Sequence, residues 1–135
     1  MDKEIQQKYI ELQLLNQQIK KVQEQFLFFQ QQLSELTTLE TSLSEMKNIK
    51  DSSEIFSSLG SGIFVNSKIA DKDHVLVNVG AGVIVKKTID EAVHLVKSQI
   101  ETINNSLEAI KNQLTQASEY SEKLSLDLNQ SMQKE

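Results

Sequence analysis

The sequence predicts an α+β fold, a long antiparallel two-helix coiled coil that carries two β-hairpins at its centre. Three observations in the 135 residues predict it. Apolar residues recur at heptad spacing over 1–49 and again over 88–135, all four Gly lie between those stretches, and no Pro interrupts either one. The chain therefore reads as an N-terminal coiled-coil arm at 1–49, a hairpin body at 50–87 and a C-terminal coiled-coil arm at 88–135, one structural unit overall.

In the first arm Ile5, Leu12, Ile19, Phe26 and Leu33 recur every seven residues. Leu15, Val22, Phe29, Leu36 and Leu43 form a second series three positions further on, and Lys8 and Glu40 break the seam that the two series make. Polar residues fill the other positions, so the helix is expected to bury one narrow stripe and leave the rest wet. Leu33, Leu36 and Leu39 are spaced three and three, a stammer expected to overwind the supercoil locally. The helix should fade between Ile49 and Ser53, where Lys50-Asp51-Ser52-Ser53 favours caps and turns.

The centre reads as four short strands, Glu54–Leu59, Ile63–Ile69, His74–Val79 and Val83–Lys87. Gly60-Ser61-Gly62 and Gly80-Ala81-Gly82 are expected to close two hairpins, because such turns need backbone conformations that Gly reaches freely. Asp71-Lys72-Asp73 separates them as a solvated turn. Strand alternation sets Ile63, Val65 and Ile69 against Phe64, and Val75, Val77 and Val79 against Leu76, so both faces carry apolar side chains. Two hairpins this short cannot cover such faces or satisfy their own edges, and the centre calls for a partner sheet.

In the second arm the spacing of three and four runs through Ile89, Val93, Val96, Ile100, Ile103, Leu107, Ile110, Leu114, Ala117, Ser121, Leu124 and Leu128, with Ser121 the one polar member. Thr88 is expected to cap its first turn, with Glu91 returning a bond to the Thr88 amide and Asp90 adding charge at the positive end of the helix dipole. Antiparallel pairing of the arms implies facing residue numbers that sum to about 137, which puts Ile5 near Met132 and Leu12 near Leu124.

Composition narrows the function classes. The net charge of −5 is divided as −2, +1 and −4 over the three segments, and all fourteen cations are Lys. An acidic chain without Arg is a poor partner for nucleic acid. The absence of Cys excludes thiolate chemistry and disulfides. Met-Asp-Lys-Glu-Ile-Gln opens the chain without an apolar run, so neither signal peptide nor membrane span is expected and a cytoplasmic location is the default. His74 and His94 have no further His or Cys to complete a metal set, and Asp71 and Asp73 supply too few oxygens for calcium. Neither Gly-x-Gly matches a phosphate loop, and the helical arms offer no enclosed pocket for an acid and base. No cofactor, metal or catalytic residue is expected, and the chain does not read as an enzyme.

The order arm, hairpin, hairpin, arm resembles an alpha-class prefoldin subunit of the archaeal type. The residues that carry the resemblance are Leu59-Gly60-Ser61-Gly62-Ile63-Phe64-Val65, Val75-Leu76-Val77-Asn78-Val79-Gly80-Ala81-Gly82-Val83 and the following Lys86-Lys87-Thr88-Ile89-Asp90-Glu91-Ala92. The resemblance covers the whole chain, and two hairpins distinguish the alpha class from the beta class, which has one. The chain departs from many relatives by carrying Ser58 where they have Pro. The resemblance implies a hexamer of two alpha-class and four beta-class subunits whose hairpins assemble into an intersubunit β-barrel. It also implies a molecular chaperone that holds unfolded polypeptide clients at its coiled-coil tips without ATP and delivers them to a group II chaperonin.

On this basis Met1, Ile5, Tyr9, Leu12, Leu124, Leu126, Leu128 and Met132 are the candidate client-binding residues, with Tyr9, Leu126 and Met132 free of any seam duty. Ile55, Phe56, Leu59, Ile63, Phe64, Val65, Val75, Leu76, Val77, Val79, Val83, Ile84 and Val85 are expected to be core, part of it lying between subunits. Leu14 and Phe28 share one outer helix face as further candidates to line a cavity. The alternative is a structural filament or scaffold protein in which the same hairpins assemble and the coiled coils act as spacers.

Overall fold

The computed structural model describes residues 2–50 and 52–133. Its elements are α1 (Lys3–Met46), β1 (Glu54–Gly60), β2 (Ile63–Lys68), β3 (His74–Gly80), β4 (Val83–Thr88) and α2 (Ile89–Gln133). The chain divides into two compact units, Met1–Leu33 with Thr102–Glu135, and Ser34–Glu101, so that each helix contributes to both.

Every seam position read from the heptads is buried or half-buried. Polar contacts across the two helices give the alignment. In the first unit the Ser121 hydroxyl donates to Asn16 Oδ1 at 3.0 Å and the Tyr120 hydroxyl donates to a Glu11 carboxylate oxygen at 2.6 Å. In the second, Lys97 reaches Glu40 at 4.0 Å and Lys47 pairs with Asp90. Three of these four pairs have residue numbers that sum to 137, as the antiparallel alignment requires.

The expected stammer is absent. Burial runs through Leu36, Glu40 and Leu43 while Leu39 is exposed, so the alternation of three and four continues through Glu40. Glu40 can occupy a seam position because Lys97 approaches its carboxylate, and half-burial spares it the full cost of desolvation. Helix α1 begins behind Asp2, whose Oδ1 accepts from the Glu4 amide at 3.4 Å. It ends at Met46, earlier than expected. Amides of Lys47, Asn48 and Ile49 bond back three residues to Ser44, Glu45 and Met46, the tightened last turn that stops an α-helix.

Each pair of strands forms its own two-stranded antiparallel sheet. In the first, Ser58 faces Phe64 and Gly60 faces Ile63, a register shift that leaves Leu59 as the extra residue of a bulge. The second repeats this with Asn78 facing Ile84, Gly80 facing Val83 and Val79 bulged. Ser61 and Gly62 have φ of 51° and 80°, and Ala81 and Gly82 have 52° and 75°, so both connections have positive φ at both central residues, the hairpin turn that matches strand twist. Ser58 Oγ and Asn78 Oδ1 accept the amides of Gly60 and Gly80 at 3.2 and 3.0 Å. Every registered pair of the first hairpin recurs in the second at an offset of 20 residues. The flanking backbone bonds obey it too, Ile69 to Ser53 and Ile89 to Asp73.

The core of the second unit is Leu43, Ile89, Ala92 and Val96, against which Val75 and Val77 of β3 pack. Here α2 faces both α1 and the hairpin, so its buried stripe widens to take in Ala92, which the heptad list lacks. The bulge interrupts strand alternation, and Val79, expected on the face of Val75 and Val77, is exposed. Most of the central residues expected as core are exposed as well. Ile55, Val75 and Val77 are half-buried, while the remaining ten run from 38% exposed at Val85 to 74% at Phe56. The physical reason is that a two-stranded sheet laid on helices has one covered face, and the described residues supply no further layer for the other.

Candidate functional site

Two surfaces collect the candidate residues. In the first unit the helix ends Ile5–Leu12 and Ser125–Met132 enclose a groove of about 540 Å³. Its floor is made of seam residues, since Ile5 and Leu128 are buried and Leu12 half-buried. Tyr9, Ile10 and Met132 form its walls, each at least 50% exposed, and Gln6, Ser125 and Asn129 complete the lining.

The candidate tip residues thus fall into three groups. Ile5, Leu124 and Leu128 are buried in the seam and Leu12 is half-buried there, so these four reach a ligand only from beneath or after local opening. Tyr9 and Met132 stand open in the groove, and Leu126 is exposed but does not line it. Met1 lies outside the described residues. Ile10 was missed, although an apolar residue beside Tyr9 and off the heptad seam is itself a signal. Lys8 occupies its seam position half-buried, between Ile5 and Leu12. A charged residue in the first heptad of α1 weakens apolar pairing just where the groove lies.

In the second unit the outer faces of the hairpins form the other surface. Cross-strand partners lie on one side of a sheet, so Phe56 and Phe64 share a face with their partners Asn66 and Ser58, and Leu76 and Ile84 share one with Lys86 and Asn78. All four large side chains are exposed. Each hairpin also leaves its outer strand edges without a ladder partner among the described residues.

The remaining candidates have structural surroundings. Asp71 Oδ1 accepts the Asp73 amide at 2.9 Å, the His74 ring lies 3.1 Å from Oδ2, and Lys86 approaches at 3.5 Å. The Asp73 amide bond, then His74 and Lys86, hold the Asp71 carboxyl below its ordinary 3.8. The Tyr120 hydroxyl is pushed above 10.0, chiefly because its bond to Glu11 and the nearby carboxylate charge favour the neutral phenol. His94 lines a shallow groove with Asp90, Glu91, Leu95 and Ser98 of α2 and Lys87 of β4. Among the described residues no group of His, Cys, Asp and Glu could hold a metal ion. None of their helices is long and apolar enough to cross a membrane. Leu14 and Phe28 are exposed, with Leu27 beside them.

Comparison with known proteins places this architecture. The family model for a prefoldin subunit matches residues 15–134. Prefoldin subunit alpha of Methanococcus aeolicus is 29% identical over 133 residues, covering 98% of this chain and 90% of the relative. That of Methanococcus maripaludis is 28% identical over 114 residues, covering 84% and 77%. Among solved structures, a chain of filamentous PFD from Methanocaldococcus jannaschii superposes with a TM-score of 0.74 at 16% identity, covering 85% of this chain and 95% of that one. The prefoldin beta subunit of Thermococcus strain KS-1 gives 0.64 at 22% identity, covering 96% and 93%. At such identities these two likenesses are of fold.

Proposed function

This chain belongs to the prefoldin family as an alpha-class chaperone subunit of the archaeal type, and we propose that it works as an ATP-independent holdase in the cytoplasm. In this reading its hairpins join those of beta-class subunits in a hexamer of two alpha and four beta chains, closing an intersubunit β-barrel. Its helix ends hold unfolded polypeptides and pass them to a group II chaperonin. The observation that carries the reading is the tip groove, where Tyr9, Ile10 and Met132 stay open around a seam floor. Each such contact is weak. Several tips acting on one client raise the effective concentration enough to hold it, while fast exchange at each tip allows release. Leu and Met suit this work because they adapt to many shapes.

The hairpin side of the proposal is supported by exposed Phe56, Phe64, Leu76 and Ile84 beside unpaired strand edges. A surface of that kind on a lone chain would invite aggregation, and a barrel with partner hairpins would remove both liabilities. A second reading, a filament or scaffold with the coiled coils as spacers, draws on the fold likeness to filamentous PFD. Deletion of residues 1–9 and 125–135, in an assembly whose partner subunits have lost their tips as well, separates the two readings. A holdase so truncated should assemble and fail to suppress light scattering by a chemically unfolded client. Full protection by an assembly lacking all its tips would refute the tip as the client site, and no protection by the intact assembly would favour the spacer.

A further inference from the structure

The tip groove has features that select among clients, and we infer that it takes an amphipathic helix of at least two turns, laid against α1 and α2 as a third helix. The inference rests on the groove being the client site and specifies what kind of segment it holds. Its first support is the backbone around it. Both walls are α-helix, whose amides and carbonyls are bonded within their own helices except at the terminal turns, so the groove presents no strand edge. An extended segment buried here would leave its own amides and carbonyls without backbone partners, and Gln6, Ser125 and Asn129 are too few to replace them. A helical segment brings its backbone already satisfied and buries side chains alone.

Continuity with the seam is the second support. Ile5, Leu12 and Leu128 belong to the α1–α2 interface and also floor the groove, the arrangement by which a two-helix coil accepts a third. The lining spans eight residue positions on each helix, a rise of about 10 Å, which fits apolar side chains at i, i+3 or i+4, and i+7. Charge is the third. The lining includes no Asp, Glu, Lys or His, although the chain carries −5. The groove therefore matches an uncharged apolar stripe, and binding should be nearly independent of salt.

The test uses the full chain and dye-labelled 14-residue peptides built from Leu, Ala, Gln and Lys. One carries Leu at i, i+3 and i+7, and a second has a central Pro in place of Ala. Because the chain has no Cys, a fluorophore on Asn129→Cys reports occupancy of this groove apart from the hairpin faces. The helical peptide should bind at least about tenfold tighter than its Pro counterpart. The preference should persist between 50 and 500 mM salt, about the range over which exposed charge interactions fade. It should be lost in Tyr9→Ser/Met132→Ser, whose exposed side chains can change without emptying the seam. Equal binding of the Pro peptide overturns the inference, as does tight binding that survives the double substitution. Holding of a full-length client by the intact assembly, with no peptide response at residue 129, would refute this inference and leave the chaperone reading in place.

Discussion

Adjacent residues of β3 point to opposite faces, which makes Leu76→Ala and Val77→Ala a matched pair. Val77 packs against the core of Leu43, Ile89, Ala92 and Val96, whereas Leu76 is 73% exposed. Removing two half-buried carbons from Val77 should cost the chain itself about 1 kcal/mol, at about 0.8 kcal/mol per buried carbon. Leu76→Ala should cost the unassembled chain almost nothing. If partner hairpins cover that face, about three-quarters of a Leu side chain remains to be buried on assembly. Its loss is then worth about 2 kcal/mol, or roughly thirtyfold in the association constant. Urea unfolding followed by circular dichroism reads the first quantity, and sedimentation of the assembly across a dilution series reads the second. The reasoning fails if Leu76→Ala unfolds as early as Val77→Ala, or if it sediments as wild type throughout the dilution. Charged replacements at Val77 cannot make this distinction, because they would break the chain's own core along with any interface.

The cap of α2 predicts that Thr88→Ala lowers stability by about 1 kcal/mol while Thr88→Ser keeps most of it, since the Thr88 hydroxyl accepts the Glu91 amide at 3.2 Å; denaturant midpoints check it. The Asp71 carboxyl is held below 3.8 in the folded chain, so its contribution is complete above that pH and lost as pH falls through the lowered value. Asp71→Asn should therefore flatten the acid limb of stability below about pH 4 and leave neutral pH slopes unchanged. For Tyr120 the sign reverses. Its folded value lies above 10.0, so its contribution is complete below pH 10 and lost as pH rises through the raised value. Tyr120→Phe should remove that alkaline slope, which stability curves from pH 9 to 11.5 would detect.

Much of the fold was legible because long seams repeat one signal many times. The heptad series, the 137 alignment and both hairpins follow from local rules that the structure obeys without exception at Ile5, Leu43, Val96 and Leu124. What escaped the sequence reading came from tertiary context. Leu39 leaves the seam, though its spacing suggested a stammer, because Lys97 makes Glu40 tolerable in the seam position. The Thr88 hydroxyl donates to a Glu91 carboxylate oxygen at 3.1 Å, in place of the expected bond from the Thr88 amide. Val79 left its expected face because a bulge is set by turn geometry that alternation alone does not encode. The tip was half legible. Tyr9 and Met132 stood out as apolar residues off the seam, but their shared groove with Ile10 depends on how two helices align.

The 20-residue repeat bears on why the central apolar residues are where they are. The hairpins have the same register, bulge and turn, yet their inner faces differ. Beside Val75, the second presents Val77 opposite Val85, while the first has Ser57 opposite Val65 and Ser67 opposite Ile55. That difference has a direct consequence, since Val75 and Val77 join the core of the second unit. The outer faces do not diverge in this way. Phe56 and Phe64 in the first hairpin stand where Leu76 and Ile84 stand in the second, and all four are exposed. Nothing in the stability of the lone chain calls for large apolar side chains at these positions, and solubility argues against them. A partner that covers both outer faces accounts for their common character, whereas contacts within the chain account only for the inner face of the second hairpin.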